Sequence, residues 1–398
     1  MFNPFIDLLP LLLLILSVIA GVIAIVARFI PIARVGRLAR EQREQAEDPI
    51  PEAESNDCPL LSVVVYTFSS EEVLKNYLDS LMTQDYPNYE VILVNDGNID
   101  VTKELTERLQ TLYPHNLYIT FIPTGSHNLS RRKLALTLGI KAAKGDVVLT
   151  TTSNCIIPSS GWLSAMMRPF LENSSLEVVL GYSHMEFNHM TGPAKWYRQF
   201  DDVLTACQWL GSAIGGNPYR GDGENLVFKR RLFFEQKVYA GSIHLVNGDD
   251  DLFVNEIADD FNTEVMIAPE SILSVDWGEA SNRMYADLKE RYQFTAMMLP
   301  FRPFLRAGLG SSMQWLAVGS AVAAALLSLP NLFPTAIGAV VLLALFITEM
   351  VIYDKTARRL GASSIWGSLP LFLLWHPVGN LFFKLRHRSH RKKNFTFA

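Results

Sequence analysis

Three consecutive carboxylates follow a glycine in Gly248-Asp249-Asp250-Asp251-Leu252-Phe253. A carboxylate among like charges holds its proton more tightly and is a better base, the property needed to take a proton from an attacking hydroxyl. The same cluster is also what a helix dipole favours at its start, with no chemistry implied. Arg131, Arg132 and Lys133 open the segment SRRKLALTLGIKAAKGD. Cations at a helix start oppose the dipole, so an anionic ligand explains them better than solubility does. Asp96-Gly97 closes an apolar run and reads either as a turn or as a ligand-holding carboxylate.

These residues need elements to bring them together. Ser62 to Tyr66 is a β-branched apolar run of strand length, and Val91 to Val94 is a second. Between them Glu71 to Met82 repeats apolar residues at Val73, Leu74, Tyr77, Leu78 and Leu81, the period of a helix with one buried face. The three form a parallel βαβ unit, and ligands of such sheets sit at the carboxyl ends of the strands, here Tyr66-Thr67 and Asn95-Asp96-Gly97. Ser130 to Asp146 reads as a helix with Leu134, Leu138 and Ile140 to Ala142 inward, ended at Gly145. Val147 to Thr152 reads as a further strand.

A first strand ending near Glu71 and Glu72, followed by a second ending in Val-Asn-Asp-Gly, resembles the nucleotide-sugar-binding half of the inverting family 2 glycosyltransferases, of the GT-A fold. The resemblance runs in order from Leu61 to Phe304. It implies a nucleotide-sugar donor, UDP- or GDP-linked, bound around Tyr66 and Glu71 with Asp96 on uracil or ribose, and with Lys133 approaching the diphosphate. Gly221 to Phe228 is similar to the family's Gly-x-Asn segment beside the acceptor. The aspartate triplet matches its Glu-Asp motif, which makes Asp250 the base and Asp249 its neighbour. Leu288 to Tyr292 stands where the family carries Gln-x-x-Arg-Trp, which implies Arg291 on the diphosphate and Tyr292 stacked on a sugar; an amphipathic helix at the membrane surface fits the same residues.

One motif departs. The family's Asp-x-Asp holds magnesium or manganese against the diphosphate, and the matching residues here are Thr152, Ser153 and Asn154. No carboxylate remains. The hydroxyl and amide oxygens, Asn154 foremost, can hydrogen-bond a phosphate but add no charge, so metal use is the implied property with least support in these residues.

The 398 residues are 49% hydrophobic, room for one soluble domain of about 200 to 250 residues plus membrane segments. Cys58, Cys155 and Cys207 are too few and too scattered for a disulfide framework or a zinc site and fit a reducing compartment. A net charge of −5 carries no nucleic-acid signature. Phe5 to Ala27 is an apolar run followed by Arg28, Arg34, Arg37, Arg40 and Arg43, which predicts an uncleaved anchor whose arginine end is inside. Met313 to Leu329 and Phe333 to Tyr353 are two further spans. Ile365 to Phe383, interrupted by Pro370, His376 and Pro377, reads as a re-entrant or interfacial hairpin that returns the basic tail to the cytoplasm.

The expected organisation is an anchor over 1–28, a basic and polar linker over 29–58, a GT-A domain over 59–304, a membrane region over 305–385 and a basic tail over 386–398. The expected protein is an α/β, membrane-anchored, inverting glycosyltransferase of an inner membrane with its catalytic domain cytoplasmic. It transfers to a lipid-linked or glycan acceptor of the cell envelope. A scaffold or binding subunit that keeps the fold and has lost catalysis is the rival reading.

Overall fold

The computed structural model describes residues 4–46, 58–67, 71–96, 99–113, 116–123, 129–237, 239, 241–329 and 332–389. The chain opens with helix α1 (Pro4–Ala46), then alternates: β1 (Leu61–Thr67), α2 (Glu71–Leu81), β2 (Tyr89–Asn95), α3 (Ile99–Leu112), β3 (Leu117–Phe121), α4 (Arg131–Ala142) and β4 (Val147–Thr152). Next come β5 (Cys155–Ile156), α5 (Trp162–Glu172), β6 (Val178–Leu180), β7 (Ser183–Glu186), α6 (Gly192–Ala213), β8 (Leu226–Lys229), α7 (Arg230–Glu235), α8 (Asp251–Ile257), β9 (Thr263–Val265) and β10 (Leu273–Asp276). Four helices follow: α9 (Ser281–Thr295), α10 (Phe301–Leu327), α11 (Leu332–Arg359) and α12 (Leu369–Ser389).

Seven strands form one sheet in the order β3-β2-β1-β4-β8-β6-β9, the first four parallel; β5, β10 and β7 form a small second sheet. Tyr66 pairs with Val94 on one side and Thr152 on the other, so the carboxyl ends of β1, β2 and β4 are level. Both faces of the central strands are buried, which is why they read as unbroken apolar runs. In α2, Leu74, Tyr77, Leu78 and Leu81 face the core as the period predicts, and Val73 faces outward. In α4 the buried face is Lys133, Ala135, Leu136, Gly139 and Ile140 rather than Leu134 and Leu138. Gly139 sets that phase, because a Cβ there would come within 2.3 Å of Val64 Cγ1.

The expected linker is partly helix. Residues 29–46 continue α1, because Ile32, Val35 and Ala39 form a buried stripe between the arginines. Gln42 ends the stripe: its Nε2 donates to Val265 O (2.8 Å) and its Oε1 accepts from Ile267 N (2.8 Å), on the free edge beyond β9. Pro31 has no N–H to donate, which frees the Ala27 carbonyl, and Arg306 Nε from α10 donates to it at 3.1 Å. Residues 47–57 lie outside the described part.

Three helical stretches, Leu8–Ala46, Phe301–Leu327 and Phe333–Arg359, are long and apolar enough to cross a membrane. The expected hairpin is instead the single helix α12, which continues through Pro377. What read as interruption is its inward face: His376 Nε2 lies 3.1 Å from Asp201 of α6, and Phe372 packs on Tyr197 and Phe200.

Candidate active site

The site gathers where the level ends of β1, β2 and β4 meet the starts of α4 and α8. Tyr66 Oη donates to Asp96 Oδ2 at 2.7 Å, and Arg131 Nε donates to Asp96 Oδ1 at 2.6 Å, so both oxygens of this carboxylate are engaged. Burial, then the hydrogen bond to Asp96, pushes the Tyr66 hydroxyl well above its ordinary value, so Tyr66 stays a donor. Of Glu71 only its place at the start of α2 is described.

The turn after β4 is closed inward. Ser153 Oγ and Thr67 Oγ1 are 2.7 Å apart, Thr152 Oγ1 and Cys155 Sγ are 3.5 Å apart, and both Thr152 and Ser153 are buried. Asn154 is half-buried on the rim of a neighbouring cleft with Asn76, Ser80 and Trp277. This donor set does not fit a divalent cation: its hydroxyl and amide oxygens carry no charge, and no group of three His, Cys, Asp or Glu among the described residues is arranged to hold a metal.

The three aspartates divide. Asp249, almost fully buried, receives Arg132 Nε at 2.6 Å and Arg291 Nη2 at 3.4 Å. Burial pushes its carboxyl up, but the two guanidiniums outweigh burial and hold it below the usual range, ionised. Asp251 turns inward, receiving Arg220 Nε at 2.8 Å and Thr295 Oγ1 at 2.6 Å. Asp250 caps α8: its Oδ1 accepts from Asp251 N at 2.7 Å, and its Oδ2 lies 3.4 Å from Arg291 Nη2; the residue lines a cavity between α6, β7 and α9. The Arg220 guanidinium sits 4.0 Å over the Tyr292 ring, so α9 is tied to α8 by an ion pair, a hydroxyl and a cation–π contact.

Lys133 takes another place than the one expected. Its Nζ is buried and donates to the carbonyls of Ser242 (2.7 Å), Asn247 (2.9 Å) and Leu245 (3.3 Å), which pins the loop leading into Gly248. Burial lowers this ammonium to about 8, with Asp249 and Asp250 opposing the fall. The residue of the basic run that reaches the acidic cluster is Arg132; the three successive residues point about 100° apart around the helix, and the phase of α4 turns Lys133 inward. Gly248, at φ 89°, then allows the sharp entry to α8.

Two carboxylates on this wall were not singled out from sequence. Asp222 Oδ2 accepts from Ser183 N at 2.7 Å, and Glu224 Oε1 lies 3.7 Å from Arg132 Nη1. Burial raises the Glu224 carboxyl to about 7 in spite of Arg132, with Asp222 adding to the rise. The signal was present as two acids alternating with two glycines in Gly221-Asp222-Gly223-Glu224. Asn225, by contrast, is fully buried and structural, donating to the carbonyls of Tyr182 and Ser271. Of the aspartate triplet the arrangement offers one carboxylate to the cavity, Asp250, with the guanidiniums of Arg132 and Arg291 lining the same cavity. That is a set able to accept a proton and to neutralise an anion in the same step.

Residues 62–234 match the profile of the family described as Glycosyl transferase family 2, a segment just under half of the chain. The chain is 36% identical over 150 residues to "Glycosyltransferase GlyA" of Streptococcus pneumoniae, covering 36% of this chain and 20% of that protein. It is 25% identical over 121 residues to "Poly-beta-1,6-N-acetyl-D-glucosamine synthase" of Staphylococcus epidermidis, covering 30% and 28%. It thus spans less than half the length of the curated relatives it matches. In three dimensions it is similar to a mannosyltransferase of Pyrobaculum calidifontis solved with GDP-Man and Mn2+ (TM-score 0.51, 18% identity, 92% of this chain and 99% of that one), a likeness of fold. The architecture is the GT-A fold expected from the strand and motif order.

Proposed function

With a glycosyl transferase family 2 domain over residues 62–234 as premise, we propose that this protein is a membrane-bound inverting glycosyltransferase that uses a nucleotide sugar. An acceptor hydroxyl attacks the anomeric carbon from the side of Asp250, the bond to the diphosphate breaks, and the proton passes to the Asp250 carboxylate. Tyr66 and Asp96 receive the nucleoside, with Arg131 supplying a further donor. Arg132 and Arg291 exchange part of their pairing with Asp249 for the phosphates. The observation that carries the reading is the split of the aspartate triplet: Asp249 and Asp251 are committed to arginines, and Asp250 alone of the three lines the cavity. The acceptor is a lipid-linked or membrane-proximal glycan of the cell envelope, a class supported by the polymer named for the Staphylococcus epidermidis relative. We place the catalytic domain on the cytoplasmic side, a side supported by the arginines after residue 27.

Because the turn 152–154 does not fit a metal, transfer proceeds with guanidinium rather than cation neutralisation. The same turn favours the second reading, a nucleotide-binding subunit without catalysis. A screen of the purified full chain against UDP- and GDP-sugars, reading thermal stabilisation and sugar release with and without chelator, separates the two. Stabilisation together with release that Asp250→Asn abolishes is the expected result; stabilisation with no release from any donor makes the protein a binding subunit.

A further inference from the structure

Helix α12 presents two opposite faces. Inward, at a helical period, stand Leu369, Phe372, His376 and Phe383, packed on α6 and α9. Outward stand Leu371, Trp375, Val378, Phe382 and Leu385, all exposed, at spacings of four, three, four and three. This stripe is uncovered, and α12 is not among the three helices long and apolar enough to cross a membrane. Lys384 and Arg386 border its end, and the sequence continues through Arg388, Arg391, Lys392 and Lys393. An apolar stripe ended by cations fits the interface of a leaflet with anionic headgroups, which takes the stripe into its acyl boundary and the cations at its surface.

The inward face holds the helix that carries Arg291 and Tyr292. His376 Nε2 lies 3.1 Å from Asp201 Oδ1, and the same buried carboxylate receives Lys289 Nζ at 2.9 Å and Tyr285 Oη at 2.8 Å, both from α9. In the last turn of α12, Arg386 Nε meets Glu290 Oε1 at 2.5 Å. Asp201 is 1% exposed and is held by three partners at once, which fixes the geometry of the junction.

We propose that α12 is a membrane-surface strut: its stripe lies in the plane of an anionic leaflet, and its opposite face fixes α9, and with it Arg291 and Tyr292, in the working position. This deepens the glycosyltransferase reading, on which only the catalytic consequence rests. His376 and Arg386 are positioning residues.

The full chain in nanodiscs tests the proposal. Cys58, Cys155 and Cys207 are all buried, so Leu371→Cys and Phe382→Cys can each be labelled selectively with a fluorophore. Both labels are expected to be quenched by brominated lipid and shielded from aqueous iodide; the reverse pattern overturns the strut. Hydrogen exchange then reads the coupling. The exposed pair Leu371→Asp with Phe382→Asp, which leaves the inward face intact, should speed exchange across 285–295 about tenfold while β1 and β4 keep their protection. Replacing phosphatidylglycerol by phosphatidylcholine should act in the same direction. Arg386→Glu should also loosen α9, and Arg386→Glu with Glu290→Arg should restore it. Unchanged exchange in α9 under all of these overturns the coupling. If the labels and α9 respond as expected while no donor is turned over, the strut stands and the enzyme reading falls.

Discussion

The turn after β4 and the start of α8 stand where the family resemblance expects acidic motifs, and they have gone opposite ways. The first, Thr152-Ser153-Asn154, holds no charge, and its hydroxyls are turned onto Cys155 and Thr67. The second holds three carboxylates, each within reach of an arginine from another element: Arg132 of α4, Arg220 before β8 and Arg291 of α9. One wall of the site carries no charge, and the other carries carboxylates and guanidiniums together. The lesson is electrostatic: guanidiniums that are to meet an anion need carboxylates to hold them in place beforehand, and this chain supplies both in one cluster.

The contrast breaks most sharply at Asp250. Asp250→Asn keeps the shape of the cap and removes the proton acceptor, so transfer should fall by about a hundredfold or more with donor affinity nearly unchanged. Equal turnover in the variant removes Asp250 from the mechanism. Arg291→Ala comes next. Loss of one neutralising group should lower kcat about tenfold to a hundredfold, and a drop confined to KM would show instead that Arg291 acts only in ground-state binding.

Restoring charge at the other end sharpens the contrast. Thr152→Asp with Asn154→Asp places a carboxylate in a buried position and should cost about 2–3 kcal/mol in a thermal melt. Manganese should recover part of that loss in the double variant and leave the unmodified chain unmoved. A manganese shift in the unmodified chain would reveal a metal held by residues other than this turn.

The smallest expected effect concerns Glu224. Its folded value of about 7 lies above the ordinary 4.5, so the folded chain keeps a proton that the unfolded chain has lost in this window. Stability should therefore decline as pH rises from about 4.5 to 7, by roughly 1–2 kcal/mol after allowance for Arg132 and solvent. Glu224→Gln should flatten that slope in melts taken at pH 5 and pH 8, and an identical slope in the variant would assign the titration elsewhere.

Much of this was readable from residues. The apolar runs 62–66 and 91–94 fixed a parallel unit, because only strands covered on both faces lack alternation. The aspartate triplet announced itself by charge density. Lys133 did not, because which member of a basic run turns inward depends on how Gly139 seats α4 on Val64 and Val94, a tertiary fact. The inner half of α1 was hidden by arginines placed between Ile32, Val35 and Ala39, which dilute any window average while leaving the helical period intact. In α12, His376 and Pro377 looked like breaks because the partner that explains His376, Asp201, lies in a distant part of the chain.

The amide of Gln42 has a consequence for how the protein is made. It satisfies the carbonyl of Val265 at the end of β9 and the N–H of Ile267 just after it, 223 and 225 positions further along the chain. Until it docks, the sheet ends in an open edge, the kind of surface on which unrelated chains pair. The first helix leaves the ribosome long before that edge exists, so it can stand as a waiting template for it. The last strand of the sheet is then completed against a segment already made, and the order of synthesis becomes a safeguard against aggregation of the domain.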